Sequence, residues 1–506
     1  MSVIHEYEGE RWVFAKGAAG GFVPITKYRY LDGELVEISE EDLKAASVRN
    51  KEMGSQSMRV IALAARKLEE DEDFTDISIV ENELIFLGLV GIMDPPRPEV
   101  KEAIRICQEA GIRVKMITGD HHMTASAIGQ ELAIDGAEKD PVSGAELRSM
   151  TDETLSESVD KAIFSRVTPD QKMRIVSSLQ ERGEIVAMTG DGVNDAPALS
   201  GANIGIAMGI AGTDVAKDAA DMVLQDDNFA NIVHAVEEGR KIYQNIRNFV
   251  RYQVSTNVAA VALIVISTFI FGWELPLTAT QILVINILMD GPPAVALGVE
   301  KRHGNVMARP PRPVDEGLPN SRDIGLIFYL GAVMVIGTLI VFFLAGGGVY
   351  GPGNECTLAP FATESDAGFS VADCLAGDEQ AMDAYNVYAE ETFANAQTMT
   401  FTVFIVFQLF NVLNCRSEKE SLFSLGLFSN GAINYAILAS GFLLFLFVHF
   451  ATFSLPLIGI EFGNLLSTTP LEGIDWLVLI AVASTVFLVE EFRKLMIKSR
   501  FFSIRR

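Results

Sequence analysis

At 506 residues the chain is long enough for several domains, and its formal net charge of −26 argues against a nucleic-acid partner, because a phosphate backbone rewards clustered Lys and Arg. An apolar content of 49% and a mean hydropathy of +0.26 exclude an ordinary soluble protein; the excess sits in discrete runs in the second half, which predicts membrane spans. Four cysteines in a chain of this length exclude a disulfide scaffold.

The first residues, "MSVIHEYEGERW", carry acids and no apolar core, so they are no signal peptide. A strand-like "RWVFAKGA" follows with no fold before it, as if the sequence opened inside a domain. Apolar runs then alternate with helical patterns: "LIFLGLVGIMD", "PEVKEAIRICQEAG", "IRVKMITGD", "MTASAIGQELAI", "AIFSRV", "DQKMRIVSSLQERG", "EIVAMTGDG" and "NIGIAMG". This alternation predicts a parallel, Rossmann-type α/β sheet with helices on both faces and a crevice at the carboxyl ends of its strands. Two strand ends carry the same tripeptide, Thr118-Gly119-Asp120 and Thr189-Gly190-Asp191.

After Arg251 the composition changes, and six spans are predicted at about 252–272, 278–298, 324–345, 396–414, 432–453 and 474–492. Basic residues set their orientation. Lys301, Arg302, Arg309, Arg312 and Arg322 fall in one loop, Arg416 and Lys419 in another, and Arg493, Lys494, Lys498, Arg500, Arg505 and Arg506 in the tail. With alternating spans all face the side that holds the sheet, so the sheet domain and C-terminus are expected in the cytoplasm. The opposite loop, 346–394, has nine Asp/Glu and no Lys or Arg. Cys356 and Cys374 lie in it, and spacing leaves a disulfide and two free thiols equally open.

Asp191 and Asp195, four residues apart on a glycine-loosened turn, suit a hydrated Mg²⁺ that keeps a phosphate oxygen. Thr118 can hydrogen-bond a phosphoryl oxygen and Lys172 can neutralise its charge. No P-loop sequence occurs. His121-His122 reads as a solvated loop, and Gly201, Gly205 and Gly209 as strand-end turns. Inside the spans, Asp290 is the acidic residue nearest the middle, where a charge costs about 2.5–3.5 kcal/mol and points to function. Asn286 lies one α-helical turn before it, on the same face. Gly291-Pro292-Pro293 breaks the helix and frees carbonyl oxygens. With Asn257 and Gln408 as further candidates, this is an oxygen-only site for a hard cation such as Ca²⁺ or Mn²⁺.

"TGDGVNDAPAL", "ITGD", "MDPPRPEV", "FSRVTPDQK" and "VEEGRKIYQNIRNFVRY" resemble, in order, the phosphorylation-domain and stalk motifs of P-type ATPases. The resemblance implies a haloacid-dehalogenase-like domain whose aspartate nucleophile attacks the γ-phosphate of ATP. It makes Thr118, Gly119 and Asp120 the family's Thr-Gly-Asp loop, puts Lys172 on the phosphoryl group, makes Asp191 the Mg²⁺ ligand, and has Asn194 and Asp195 support the site. Lys16, Arg59, Asp94 and Arg166 become nucleotide contacts. "KGAAGG" departs from the family, which usually continues with Pro-Glu.

"VINILMDGPPAVALGVE" resembles the sixth span of secretory-pathway and plasma-membrane calcium pumps. Ala260, Met289 and Gln408 stand where two-calcium pumps carry a glutamate, a threonine and a glutamate, which implies a single ion site with Ca²⁺, and Mn²⁺ as a second candidate. The resemblance also implies three regions: 1–88 from a nucleotide-binding domain, 89–245 as the phosphorylation domain, and 246–506 as a six-helix transmembrane bundle. The family nucleophile motif, Asp-Lys-Thr-Gly-Thr, does not occur in these residues. The expectation is a C-terminal portion of a pump, inactive alone, with membrane lipid, ATP and Ca²⁺ as ligands and a separate N-terminal polypeptide as one source of the front half. The alternatives are an inactive fragment that only binds cation or nucleotide, and a membrane-tethered phosphatase.

Overall fold

The computed structural model describes residues 1–22, 25–31, 33–55, 58–69, 72, 76–92, 96–301, 304–348, 356–360, 362–449, 454–455, 460–461 and 466–504. It divides into two compact units, Met1–Glu237 with Met307–Val314, and Glu238–Val306 with Asp315–Arg506.

The first unit begins with a mixed six-stranded sheet in the order β1-β2-β5-β6-β3-β4. Its strands are β1 (Ser2–Tyr7), β2 (Glu10–Ala18), β3 (Thr26–Leu31), β4 (Glu34–Glu37), β5 (Arg59–Leu68) and β6 (Leu84–Ile92). One strand precedes "RWVFAKGA": β1 pairs antiparallel with β2 through Glu8-Gly9, both at positive φ (53° and 79°), as a two-residue hairpin turn requires. Polar residues in "SVIHEY" hid that strand. Alternation along β2 buries Val13 and Ala15 and leaves Phe14 and Lys16 outside. Val13 and Ala15 pack with Phe22, Ala62, Ala64, Leu68, Val80 and Leu84.

The run "LIFLGLVGI" is β6, and it belongs to this sheet rather than to the parallel alternation. It runs antiparallel to β5 and parallel to β3. A short apolar run declares a strand but not its neighbours.

The parallel alternation forms two separate three-stranded sheets. One is ordered β7-β9-β8, from Met116–Ile117, Ile163–Ser165 and Val142–Ser143; the other is β10-β11-β12, from Ala187–Gly190, Ile204–Met208 and Met222–Leu224. All their pairings are parallel. β7 and β10, which carry the two tripeptides, are each an edge strand among the described residues. The helix Pro169–Glu181 packs on both sheets. Ile175 and Leu179 enter the cluster with Val142 and Phe164, while the neighbouring Val176 faces Met188 and Ala207. Pro169 at its first position and the Thr168–Gln171 capping box set its start.

Among the described residues six helices are long and apolar enough to cross a membrane, Ala230–Ile270, Ala279–Gly298, Ser321–Leu344, Glu379–Cys415, Gly431–His449 and Gly473–Lys498, and apart from the first two turns of Ala230–Ile270 they lie in the second unit. Glu379–Cys415 is central, with Phe401, Phe404 and Phe407 wholly buried. It starts well before the expected 396 because Asp378 caps it and the acidic stretch continues the helix. Ahead of it Cys356 and Cys374 form a disulfide. This bond closes a small cluster in which Phe369 packs against Tyr385 and Tyr388.

Candidate functional site

Thr118 follows β7. Its N–H donates to the Phe164 carbonyl (2.9 Å) and its own carbonyl accepts from Val167 N–H (3.2 Å). The Asp120 N–H donates to Thr118 Oγ1 (3.1 Å), folding the tripeptide into a tight turn with Gly119 and Asp120 exposed. Asp120 also accepts, through its carbonyl, from Arg166 N–H (3.1 Å). The segment after β9 therefore grips the Thr118 loop at two points and then enters the helix that carries Lys172.

Lys172 Nζ donates to Asp195 Oδ1 at 2.5 Å. Asp195 is 6% exposed, and its other oxygen accepts from the N–H groups of Asp191 (3.3 Å) and Gly192 (3.1 Å). Lys172, Asp195 and Asp191 are thus joined by direct hydrogen bonds, and Thr118 is tied by backbone bonds to the segment that leads into the Lys172 helix, while the Asp191 and Asn194 side chains stay exposed. Asp195 is taken up by a lysine and two backbone donors, so the donor set leaves Asp191 as the carboxylate free in geometry to hold a hydrated Mg²⁺.

Three contributors escaped sequence reading. Gln171 is buried; its Nε2 donates to the Gly144 carbonyl (2.7 Å) and its Oε1 accepts from Thr168 N–H (3.0 Å). Gly144 lies so close to the Arg166 carbonyl that no Cβ fits, and Arg166 itself is exposed at φ 50°. Asp227, also at positive φ (54°), accepts from Ile210 N–H (2.9 Å) and Ala211 N–H (2.7 Å). These backbone donors hold its carboxyl below the usual range. The clasped loop continues to Thr213, whose N–H donates to the Asp191 carbonyl (2.8 Å). "QDDN" after a strand was the available signal, since Asp tolerates positive φ.

His121 and His122 are exposed, in keeping with the solvated reading, and His121 also caps a helix. Its Nδ1 accepts from Met123 N–H (3.4 Å) at the start of a helix, and its ring lies 4.2 Å from that of His122. Burial, with His122 and Arg166 beside it, lowers its pKa. Gly205, by contrast, is no strand-end turn: it sits inside β11, where a Cβ would meet the Leu199 carbonyl at 2.6 Å.

On the six-stranded sheet, Lys16 of β2 pairs with Leu63 of β5, and Arg59 lies four residues earlier on β5. The period of two puts both on the face opposite Val13 and Ala15, and both are exposed. Asp94 lies outside the described residues.

In the second unit Asp290 has no exposed surface and accepts from Tyr252 Oη (3.2 Å) and Thr256 Oγ1 (3.3 Å), neither foreseen. Asn286 is exposed where Asp290 is buried, and a π-turn over Ile285–Met289, with Asp290 N–H donating to the Ile285 carbonyl (2.9 Å), runs between them. The prolines do not end the helix outright; a new one, Gly291–Gly298, starts with them in its first turn. Lacking N–H groups, Pro292 and Pro293 cannot donate to the carbonyls of Leu288 and Met289 four residues back.

Asn257 is exposed. Gln408 is 1% exposed, and neither of its polar atoms has a hydrogen-bond partner among the described residues. Ala260 and Met289 pack in the apolar core. No group of three or more His, Cys, Asp or Glu stands together among the described residues. A cation here would therefore meet one carboxylate and neutral oxygens, a hard donor set.

Residues 1–99 match the family model "P-type ATPase, cytoplasmic domain N", and residues 274–496 match "Cation transporting ATPase, C-terminus". "Calcium-transporting ATPase 1" of Schizosaccharomyces pombe is 40% identical over 504 residues, covering 98% of this chain and 49% of the relative. "Calcium-transporting ATPase type 2C member 1" of Homo sapiens is 38% identical over 503 residues, covering 99% and 48%. "Calcium-transporting ATPase 1" of Bacillus cereus is 38% identical over 440 residues, covering 87% and 46%. The chain spans about half the length of these curated relatives. With one family model at each end and such relatives aligning along most of its length, the chain belongs to the P-type ATPases.

Proposed function

We propose that this chain is the C-terminal part of an ATP-driven calcium pump with one ion site, and that it works only with the Asp-Lys-Thr-Gly-Thr strand and earlier spans supplied to it. The observation that carries the calcium reading is Asp290, a wholly buried carboxylate in a helix interrupted by a π-turn and two prolines, with Gln408 buried and unpartnered. The relatives' names agree with it. The need for a complement is supported by β7 and β10, each an edge strand among the described residues, and by Asn257 and Asn286, polar side chains exposed on membrane-length helices.

In this reading residues 1–88 and 89–245 serve nucleotide binding and phosphorylation, and 246–506 the transport path. Lys16 lies near the adenine of ATP and Arg59 reaches its phosphates, with Asp94, on the hinge side, and Arg166 as further nucleotide contacts. The Thr118 turn and Lys172 steady the transferred phosphoryl group, and Asn194 and Asp195 hold the loop in shape. Mg²⁺ on Asp191 supplies charge neutralisation when bound. Asn257, Asn286, Asp290 and Gln408 give oxygen to Ca²⁺, with Mn²⁺ as a competing substrate. The basic loops put the sheets and the C-terminus in the cytoplasm.

The test is to co-express the chain with a polypeptide carrying the missing strand and spans. Phosphorylation from ATP should appear and require Ca²⁺, and Asp290→Ala should abolish that requirement's fulfilment at any Ca²⁺ concentration. If the pair phosphorylates equally with and without Ca²⁺, or Asp290→Ala responds like the parent, the calcium reading is wrong. No phospho-intermediate at all would favour a fragment that only binds cation or nucleotide.

A further inference from the structure

We infer that the buried Glu300–Arg416 pair is a positioning device for the cation site, holding the helix that carries Asp290 in register with the helix that carries Gln408; the inference rests on the calcium reading above. Glu300 lies just past Gly291–Gly298, and Arg416 ends Glu379–Cys415. Both side chains are 1% exposed. Arg416 Nε and NH2 donate to the two carboxylate oxygens at 2.9 and 3.0 Å, a fork that fixes direction as well as distance.

The other guanidinium donors reach Ser429 Oγ (2.6 Å) and the carbonyls of Gly426 (3.1 Å) and Leu427 (3.5 Å), just before Gly431–His449. Asn430 Nδ2 donates to Glu300 Oε2 (2.8 Å). From the first span, Asn245 Nδ2 donates to the carbonyls of Gly298 (3.1 Å) and Glu300 (3.0 Å), and Asn248 Nδ2 to that of Arg416 (3.0 Å). One polar knot thus ties the middle of the helix that carries Tyr252 and Thr256 to the ends of the helices that carry Asp290 and Gln408.

Stability alone does not account for it, because well-packed apolar residues commonly replace a buried ion pair without loss. Position does. The π-turn before Asp290 and the two prolines after it interrupt the hydrogen-bond ladder on both sides of that residue. The short helix that follows is then held from its far end, where the fork permits no sliding. Supports of this kind, outside the ligands themselves, set how well the ligands converge.

The test uses the co-expressed assembly with Arg416→Lys, which keeps charge but loses the fork, and Glu300→Gln, which keeps shape but loses charge. The Ca²⁺ concentration for half-maximal phosphorylation from ATP should rise about tenfold, as for a lost support of a metal ligand. Phosphorylation from inorganic phosphate without Ca²⁺ should hold steady per amount of folded protein. Should either variant fail to fold, Asn430→Ser decides: it keeps a capping oxygen, removes the amide donor to Glu300, and should shift the Ca²⁺ response in the same direction by less. An unshifted Ca²⁺ response, or both reactions declining together, overturns the inference and leaves the calcium reading standing. A parent assembly with no Ca²⁺ response sinks both.

Discussion

Gly144 shows how much of the phosphoryl site rests on a single missing methyl. Its Cβ would meet the Arg166 carbonyl and, at 2.9 Å, Gln171 Oε1. Gly144→Ala should therefore push apart the turn that grips Thr118 and lower unfolding stability by about 1–3 kcal/mol, the usual penalty for overpacking. A melting temperature equal to the parent's would show that the loop yields without cost. At this scale charge was easier to read than geometry. Asp290 announced itself as an acid in an apolar run, whereas the π-turn between Asn286 and Asp290 left no mark in the sequence. Arg416 and Lys494 were legible as basic residues that orient spans. The structure buries both: Arg416 on Glu300, and Lys494 against Glu491 (3.3 Å) and the Asn414 carbonyl (3.1 Å).

Elements were legible where a period ran long enough. Each expected span has a membrane-length helix over it, because about 20 apolar residues leave few other readings. Strand existence was also clear, but partnership was not. β6 joined the mixed sheet, and β1 went unseen because its polar residues broke the alternation. The segment before Glu379–Cys415 read as an acidic loop; the structure gives it a disulfide and a small aromatic cluster. Replacing Cys356 and Cys374 with Ser opens a loop whose ends are 18 residues apart, and should destabilise that cluster by about 3 kcal/mol in a chain-entropy account. Limited proteolysis over 356–388 would report it. Equal cleavage of parent and double variant would mean the aromatic packing suffices.

Across the whole molecule, the two parallel sheets end on the edges that carry Thr118 and Asp191, and this is where a complementing strand would act. Adding a polypeptide with the Asp-Lys-Thr-Gly-Thr strand should slow amide exchange at Met116–Ile117 and Ala187–Gly190 by about tenfold or more, as new pairing protects edge amides. Exchange slowed elsewhere but unchanged on β7 and β10 would place the complement somewhere other than between these tripeptides. By itself the sequence determined the six spans, the strand ends bearing the paired Thr-Gly-Asp, and the one acid set deep among apolar residues. These are local signals, written in hydropathy, period and the cost of a charge where water is absent. Only the tertiary structure decided that Asp195 takes Lys172, that Asp290 meets Tyr252 and Thr256, and that Glu300 finds Arg416 across 116 residues of chain. Such pairings depend on which surfaces folding brings together, and no local pattern encodes the partner.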